Sequence, residues 1–232
     1  MTDEIAILMA AGLGQRMRPL TETMPKPLVP VHGKPMIETV IDALKMRGVS
    51  KIYVVTGYRG DQLNYLAGKY DGVTMIENKE YQTINNISSI RAAADVMGDC
   101  NCFICEADLY MPDPNVLNAN HVKSCYYGKM VGGHSDDWVF EQDESGRIIR
   151  VGKGGDDCYN MCGISYFLKD DAKKIADAVV ERYNHPGYEN LFWDEVVDSI
   201  LDDLDLEVYP IRTGSIIEID TVEELKEVEA RY

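Results

Sequence analysis

Positive charge is scarce in this sequence. It has 23 lysines and arginines against 39 aspartates and glutamates over 232 residues, a formal net charge of −16. Such a field repels nucleic acid and anionic membrane, and no basic run overcomes it locally, so neither is an expected partner. The first apolar run, residues 5–11, is far too short to span a bilayer. The residues before it, Thr2, Asp3 and Glu4, lack the positive charge of a signal peptide, and a cytoplasmic location is the simplest expectation. Six cysteines in a chain of this size do not suggest a disulfide framework. Cys100, Cys102 and Cys105 fall in an expected buried strand, and Cys125, Cys158 and Cys162 supply no second C-x-x-C pair, which favours small core residues over a zinc site. Internal repeats, low-complexity stretches and linkers are also lacking, so a single domain over 1–232 is expected.

What is present is an alternation of strand and helix patterns. Apolar or β-branched runs at 5–10, 52–56, 73–76 and 102–106 predict buried parallel strands. Helical spacing of apolar residues predicts helices over 35–47, 61–70 and 87–97. This rhythm implies an α/β fold: a Rossmann-like, mainly parallel sheet with helices on both faces. Ligands bind such sheets beyond the carboxyl ends of the strands, which makes the loop at Gly12 and Asp108 neighbours in space. The second half is less regular. Short strands are expected at 126–131, 138–141, 147–151 and 163–168, helices at 170–183, 189–201 and 222–230, and a strand at 206–211. Elements at about 126–201 are expected to form a small inserted acceptor-binding part.

The loop after the first strand, Gly12-Leu13-Gly14-Gln15-Arg16-Met17-Arg18-Pro19, is neither a dinucleotide fingerprint nor a Walker loop, since Met17 stands where a third glycine belongs. Backbone amides at Ala11, Gly12 and Gly14 are suited to phosphate oxygens. Arg16 and Lys26, the latter within Met24-Pro25-Lys26-Pro27-Leu28, are placed to grip a triphosphate. Asp108 ends one apolar strand, and Asp220 follows the run Ile216-Ile217-Glu218-Ile219. Asp220 also reads as a helix cap with Glu223 completing the box. The segment Tyr81–Ser89 is rich in amides and hydroxyls fit for a base edge, although Asn85 or Asn86 serves equally as a helix cap. The two tryptophans, Trp138 and Trp193, both stand among carboxylates. Tyr159 is a candidate third wall of an aromatic cage for a quaternary ammonium, core packing being the plainer reading. Lys153 is either an acceptor-phosphate ligand or a solvated turn lysine.

Taken together, the glycine loop, Asn85-Asn86 with Ser88-Ser89, Ala107-Asp108, Gly163-Ile164-Ser165-Tyr166, Phe192-Trp193-Asp194-Glu195 and Glu218-Ile219-Asp220 resemble the nucleoside-diphosphate-sugar pyrophosphorylase superfamily. Within it the sequence is most similar to the small bacterial CTP:phosphocholine cytidylyltransferases, essentially end to end. The resemblance implies a nucleotidyltransferase that moves CMP from CTP to phosphocholine. It assigns a magnesium ion to Asp108 and Asp220, and nucleotide contacts to Gln82, Asn86 and Ser89. Glu106 departs from the D-x-D spelling and is left as a supporting acid. The resemblance implies the acceptor site at Trp138 and Trp193, with Tyr159 kept as the candidate third wall. Asn190 stands where those enzymes carry an acid, leaving Glu189 or Asp194 to supply the charge. A phosphate nucleophile is already ionised at neutral pH, so no general base is needed and the four histidines carry no expected part. Alternatives are cytidylyl transfer to 2-aminoethylphosphonate, phosphoethanolamine or a sugar 1-phosphate. A catalytically silent nucleotide-binding homologue is disfavoured by the presence of Arg16, Lys26, Asp108 and Asp220 together.

Overall fold

Alternate residues of the first strand serve two different cores. Ile5 and Ile7 pack on one side, and Ala6, Leu8 and Ala10 on the other, so the strand is buried on both faces. The computed structural model describes residues 3–231; residues 1, 2 and 232, including Thr2 and the extreme ends of the predicted domain, lie outside them. In chain order the elements are β1 (Glu4–Ala10), a small hairpin of β2 (Pro30–Val31) and β3 (Lys34–Pro35), α1 (Met36–Arg47), β4 (Lys51–Thr56), α2 (Tyr65–Lys69) and β5 (Val73–Glu77). Then follow α3 (Ile87–Ala93), β6 (Asn101–Glu106), β7 (Leu109–Tyr110), β8 (Ser124–Gln142) and β9 (Ile148–Phe167). The chain closes with α4 (Lys169–Arg182), α5 (Trp193–Ser199), β10 (Leu206–Pro210), β11 (Ile217–Glu218) and α6 (Val222–Arg231).

Seven strands form one sheet in the order β10-β8-β9-β6-β1-β4-β5. The pairs β1–β4, β1–β6, β4–β5 and β8–β10 are parallel, while β9 runs antiparallel to both β6 and β8. Helix α1 and Leu66 of α2 cover one face; α3, α4 and α5 cover the other. This is the doubly covered, mainly parallel sheet that the apolar runs predict. The strand order reverses between β6 and β4 around β1, which opens a crevice at the carboxyl ends of β1 and β6. Among the described residues, no helix is long and apolar enough to cross a membrane.

The second half differs from expectation in continuity. The four short strands predicted between 126 and 168 are parts of two long ones, β8 and β9, joined by a turn. Register shifts at Val131/His134 and Ser135/Trp138 bend the pair, and glycines 132, 133, 152, 154 and 155 interrupt the apolar alternation that marks a strand. The predicted helix at 189–201 is helical only from Trp193, after a single tight turn at Tyr188–Asn190.

At the opposite end of the sheet from the crevice, Arg47 closes the fold. Its guanidinium donates to both carboxylate oxygens of Glu4, at 2.7 and 2.8 Å, and to the carbonyls of Leu117 and Ala119. It also lies 4.9 Å from the centre of the Phe103 ring. Both partners of the pair are largely buried, so removing one strands the other. Arg47→Ala is therefore expected to lower the unfolding free energy by about 3–5 kcal/mol in urea titration. A loss below about 1 kcal/mol would mean that the pair behaves as an exposed one.

Candidate functional site

The site begins where β1 ends. Gly14 adopts a left-handed φ of 60°, and a Cβ there would lie 2.8 Å from the Cβ of Lys26. Glycine is required for both reasons, and the close approach lets the loop press against the stem of Lys26. Thr21 Oγ1 donates to the Gly14 carbonyl at 2.8 Å and holds the loop in this form. Lys26 enters from a tight turn, Lys26–Leu28, whose backbone is stiffened by Pro25 and Pro27. Its side chain is 9% exposed. The ammonium donates to Asp108 Oδ2 at 2.6 Å and to Asp220 Oδ1 at 2.5 Å. Burial opposes the charge on Lys26, but the two aspartates outweigh it and hold its pKa above the usual lysine range. Arg16, largely exposed, reaches Asp220 Oδ1 at 2.8 Å. Thus Arg16, Lys26, Asp108 and Asp220 converge as the sequence predicts.

The two aspartates meet because β11 pairs antiparallel with β7, and Ile219 N donates to the Asp108 carbonyl at 3.3 Å. This pairing also delivers Glu218. Carboxylate oxygens of Asp108, Glu218 and Asp220 lie within 4.8 Å of one another. Burial, then the charges of Asp108 and Asp220, push the Glu218 carboxyl up to about 8. Burial, followed by the charges of Glu218, Asp108 and Asp194, raises Glu106 well above the carboxylate range. Asp108 Oδ1 is buried with no hydrogen-bond partner. An all-oxygen acidic set with an unmatched buried acceptor fits a hard divalent cation. The capping alternative for Asp220 resolves differently from the sequence reading. Thr221 Oγ1 accepts from Glu224 N, and Glu224 accepts from the backbone of Asp220 and Thr221, so the box is Thr221–Glu224 and the Asp220 carboxylate stays free of it.

A cavity of about 630 Å³ opens over these groups. Gly12, Gly14, Gln15, Arg16, Lys26 and Asn86 contribute to its lining, as do Glu106, Asp108, Glu218 and Asp220. The hairpin and α5 add Lys129, Asp136, Asp137, Trp138, Lys153, Phe192 and Asp194. Trp138 and Phe192 meet edge to face with centroids 5.3 Å apart. Asp194 is 3% exposed, its Oδ1 accepts from the Tyr126 hydroxyl at 3.1 Å, and burial pushes its carboxyl up to about 7.

Several predicted site residues lie elsewhere. Ala11 is buried, and its carbonyl accepts from Tyr58 N. Gln82 is exposed and donates to the Tyr81 hydroxyl. Ser89 is buried and accepts from Asn78. Tyr159 packs against the core and Glu189 points to solvent. Trp193 is 3% exposed, stacked on Tyr126 and edge-on to Phe167, and does not line the large cavity. The reason is local: Asn86 Oδ1 accepts from Trp193 N at 2.9 Å and pins the start of α5, so the indole enters the core while the preceding Phe192 faces the cavity. Asn85 reinforces this join by donating to the carbonyls of Glu189 and Asn190. Sequence reasoning missed Phe192, Lys129 and Glu218. Only Glu218 left a usable signal, standing two residues before Asp220 and hence on the same side of an extended segment.

A cradle of backbone and cations beside clustered acids suits transfer of a phosphorus group, and known proteins agree. The profile of the MobA-like NTP transferase domain matches residues 6–125. The chain is 50% identical over 227 residues to a 2-aminoethylphosphonate cytidylyltransferase of Lancefieldella rimae, covering 98% of this chain and 92% of the relative. It is 30% identical over 224 residues to a choline-phosphate cytidylyltransferase of Streptococcus pneumoniae, covering 97% and 96%. The solved structure of a CTP:phosphocholine cytidylyltransferase from that organism superposes with a TM-score of 0.90 at 30% identity, covering 98% of both chains. The chain belongs to the MobA-like NTP transferase family and, within it, to the cytidylyltransferases.

Proposed function

We propose that this cytidylyltransferase transfers CMP from CTP to 2-aminoethylphosphonate and releases pyrophosphate. The observation that carries this reading is the make-up of the acceptor end of the cavity. Two carboxylates, Asp137 and Asp194, line it beside two aromatic rings, Trp138 and Phe192, while Trp193 packs into the core and borders only a much smaller cavity. A primary ammonium donates three hydrogen bonds and is matched by carboxylates, whereas a trimethylammonium depends on aromatic faces. The 50% relative bears the aminoethylphosphonate name and the 30% relative the choline one, which supports the same choice.

In this reading the glycine-loop amides, Arg16 and Lys26 receive the triphosphate. The phosphonate oxygen, already ionised, attacks the α-phosphorus as the bond to pyrophosphate breaks, with no proton to remove. Asp108, Glu218 and Asp220 would hold magnesium, which supplies charge neutralisation around the phosphates. Lys26 adds a fixed positive charge at the same point, and Asp194 orients the acceptor's ammonium.

With CTP and magnesium, pyrophosphate release is expected to show kcat/KM for 2-aminoethylphosphonate above that for phosphocholine by at least about tenfold, the scale of one hydrogen bond to a charged group. Preference for phosphocholine, phosphoethanolamine or glucose 1-phosphate would replace the acceptor. No release with any of them, from protein that still binds CTP, would mean a silent nucleotide-binding homologue. Trp193→Ala should chiefly cost stability, about 3–5 kcal/mol as for a buried aromatic.

Asp194 separates stability from binding. Its folded pKa of about 7 lies above the ordinary aspartate value of 3.8, so the native state favours its protonated form and stability from this group falls as pH rises between those values. Asp194→Asn is therefore expected to unfold at a higher temperature than wild type at pH 8. Its acceptor KM should be raised and lose the improvement that wild type shows on going from pH 6 to pH 8. A KM with the same pH profile in both proteins would remove Asp194 from the acceptor site.

Lys26→Met leaves the acids without their internal counter-charge. The variant should melt below wild type in EDTA and gain more from added magnesium than wild type does. Equal magnesium shifts in the two proteins would argue against a cation site at these acids.

A further inference from the structure

Lys153 is the cation that the aromatic wall already holds. It sits directly opposite Trp138 across the β8–β9 pair, and its Nζ lies 5.8 Å from the Trp138 ring centre and 5.2 Å from that of Phe192. Both distances are within cation–π range. Among the described residues its amine forms no ion pair, although Asp136 and Asp137 line the same cavity. The backbone carrying it is held in place. Arg150 donates to the Gly154 carbonyl at 2.6 Å and to the Lys153 carbonyl at 3.4 Å, and is itself anchored on Glu141 at 2.6 Å. Gly154 takes a left-handed φ of 75°, and a Cβ at Gly152 would collide with the Arg150 guanidinium. The turn thus presents one lysine to one aromatic pair.

Building on the proposed acceptor site, we infer that Lys153 sets acceptor specificity by occupying the aromatic wall itself. Lys153 is exposed while Trp138 and Phe192 are half-buried, so a quaternary ammonium would have to share these rings with a solvated lysine ammonium, and two like charges a few ångströms apart still repel, though modestly. A primary ammonium has less need of the rings, because carboxylates such as Asp137 and Asp194 can accept its hydrogen bonds. Lys153 therefore works against the wrong acceptor more than it works for the right one. This differs from holding the acceptor's phosphorus group, which would demand that the amine leave the rings.

The test compares wild type, Lys153→Ala and Lys153→Arg in two ways. Titration with tetramethylammonium chloride, followed by quenching of tryptophan fluorescence, is expected to show binding about threefold tighter in Lys153→Ala than in wild type or Lys153→Arg, the scale of one solvent-exposed cation–π contact. The ratio of kcat/KM for phosphocholine to that for 2-aminoethylphosphonate should rise by a similar factor in Lys153→Ala alone. Equal tetramethylammonium affinity in all three proteins overturns the inference. So does a parallel loss with both acceptors, which would assign Lys153 to the phosphorus group. Wild-type acceptor rates judge the proposed function separately: a wild-type preference for phosphocholine sinks that reading, while the tetramethylammonium comparison still judges Lys153.

Discussion

The ammonium of Lys26 is buried between the carboxylates of Asp108 and Asp220, 82 and 194 residues away in the chain, and three distant segments depend on that arrangement. Without the two aspartates the Lys26 ammonium, 9% exposed, would be an uncompensated buried charge. Together they convert a desolvation cost into a junction between the glycine loop, the end of β6 and the strand before α6. Gly14 belongs to the same junction, since any larger residue would push into the lysine stem. The fixed charges that line the cavity are thereby set in place by the fold itself.

A second junction joins the segment before α3 to the segment that opens α5. The Asn85-Asn86 pair reads in sequence as base-contacting or helix-capping. In the fold, its backbone and side chains hold the segment from Glu189 to Trp193. Asn86 also lines the cavity. The two segments are thus joined directly by hydrogen bonds of about 3 Å. Asp194 stores cost: it is a buried carboxylate whose one side-chain hydrogen-bond donor is the Tyr126 hydroxyl, a poor arrangement for stability of the charged form.

The parallel half of the sheet was legible because strands buried on both faces are apolar throughout, and helices on one side of a sheet carry a 3.6-residue stripe. The hairpin half was not. Strands β8 and β9 bend through register shifts and carry glycines and aspartates, so their pattern breaks although their pairing continues. The cavity-lining cations Arg16 and Lys26 stood out for a different reason: glycine and cations lie close together in the chain there.

The linear sequence determined the fold class, the glycine loop with its cations, and the two aspartates at strand ends. These are written in local composition and in periods of 2 and 3.6 residues, which a chain carries whether folded or not. Only the tertiary structure decided which of two adjacent aromatics, Phe192 or Trp193, would face the cavity. It alone brought Glu218 to Asp108, laid Lys153 on Trp138, and moved the capping box from Asp220 to Thr221. Each of those outcomes turns on which way a side chain points once a distant strand or helix is in place, and neighbouring residues in a chain of L-amino acids point in different directions that no local pattern can rank.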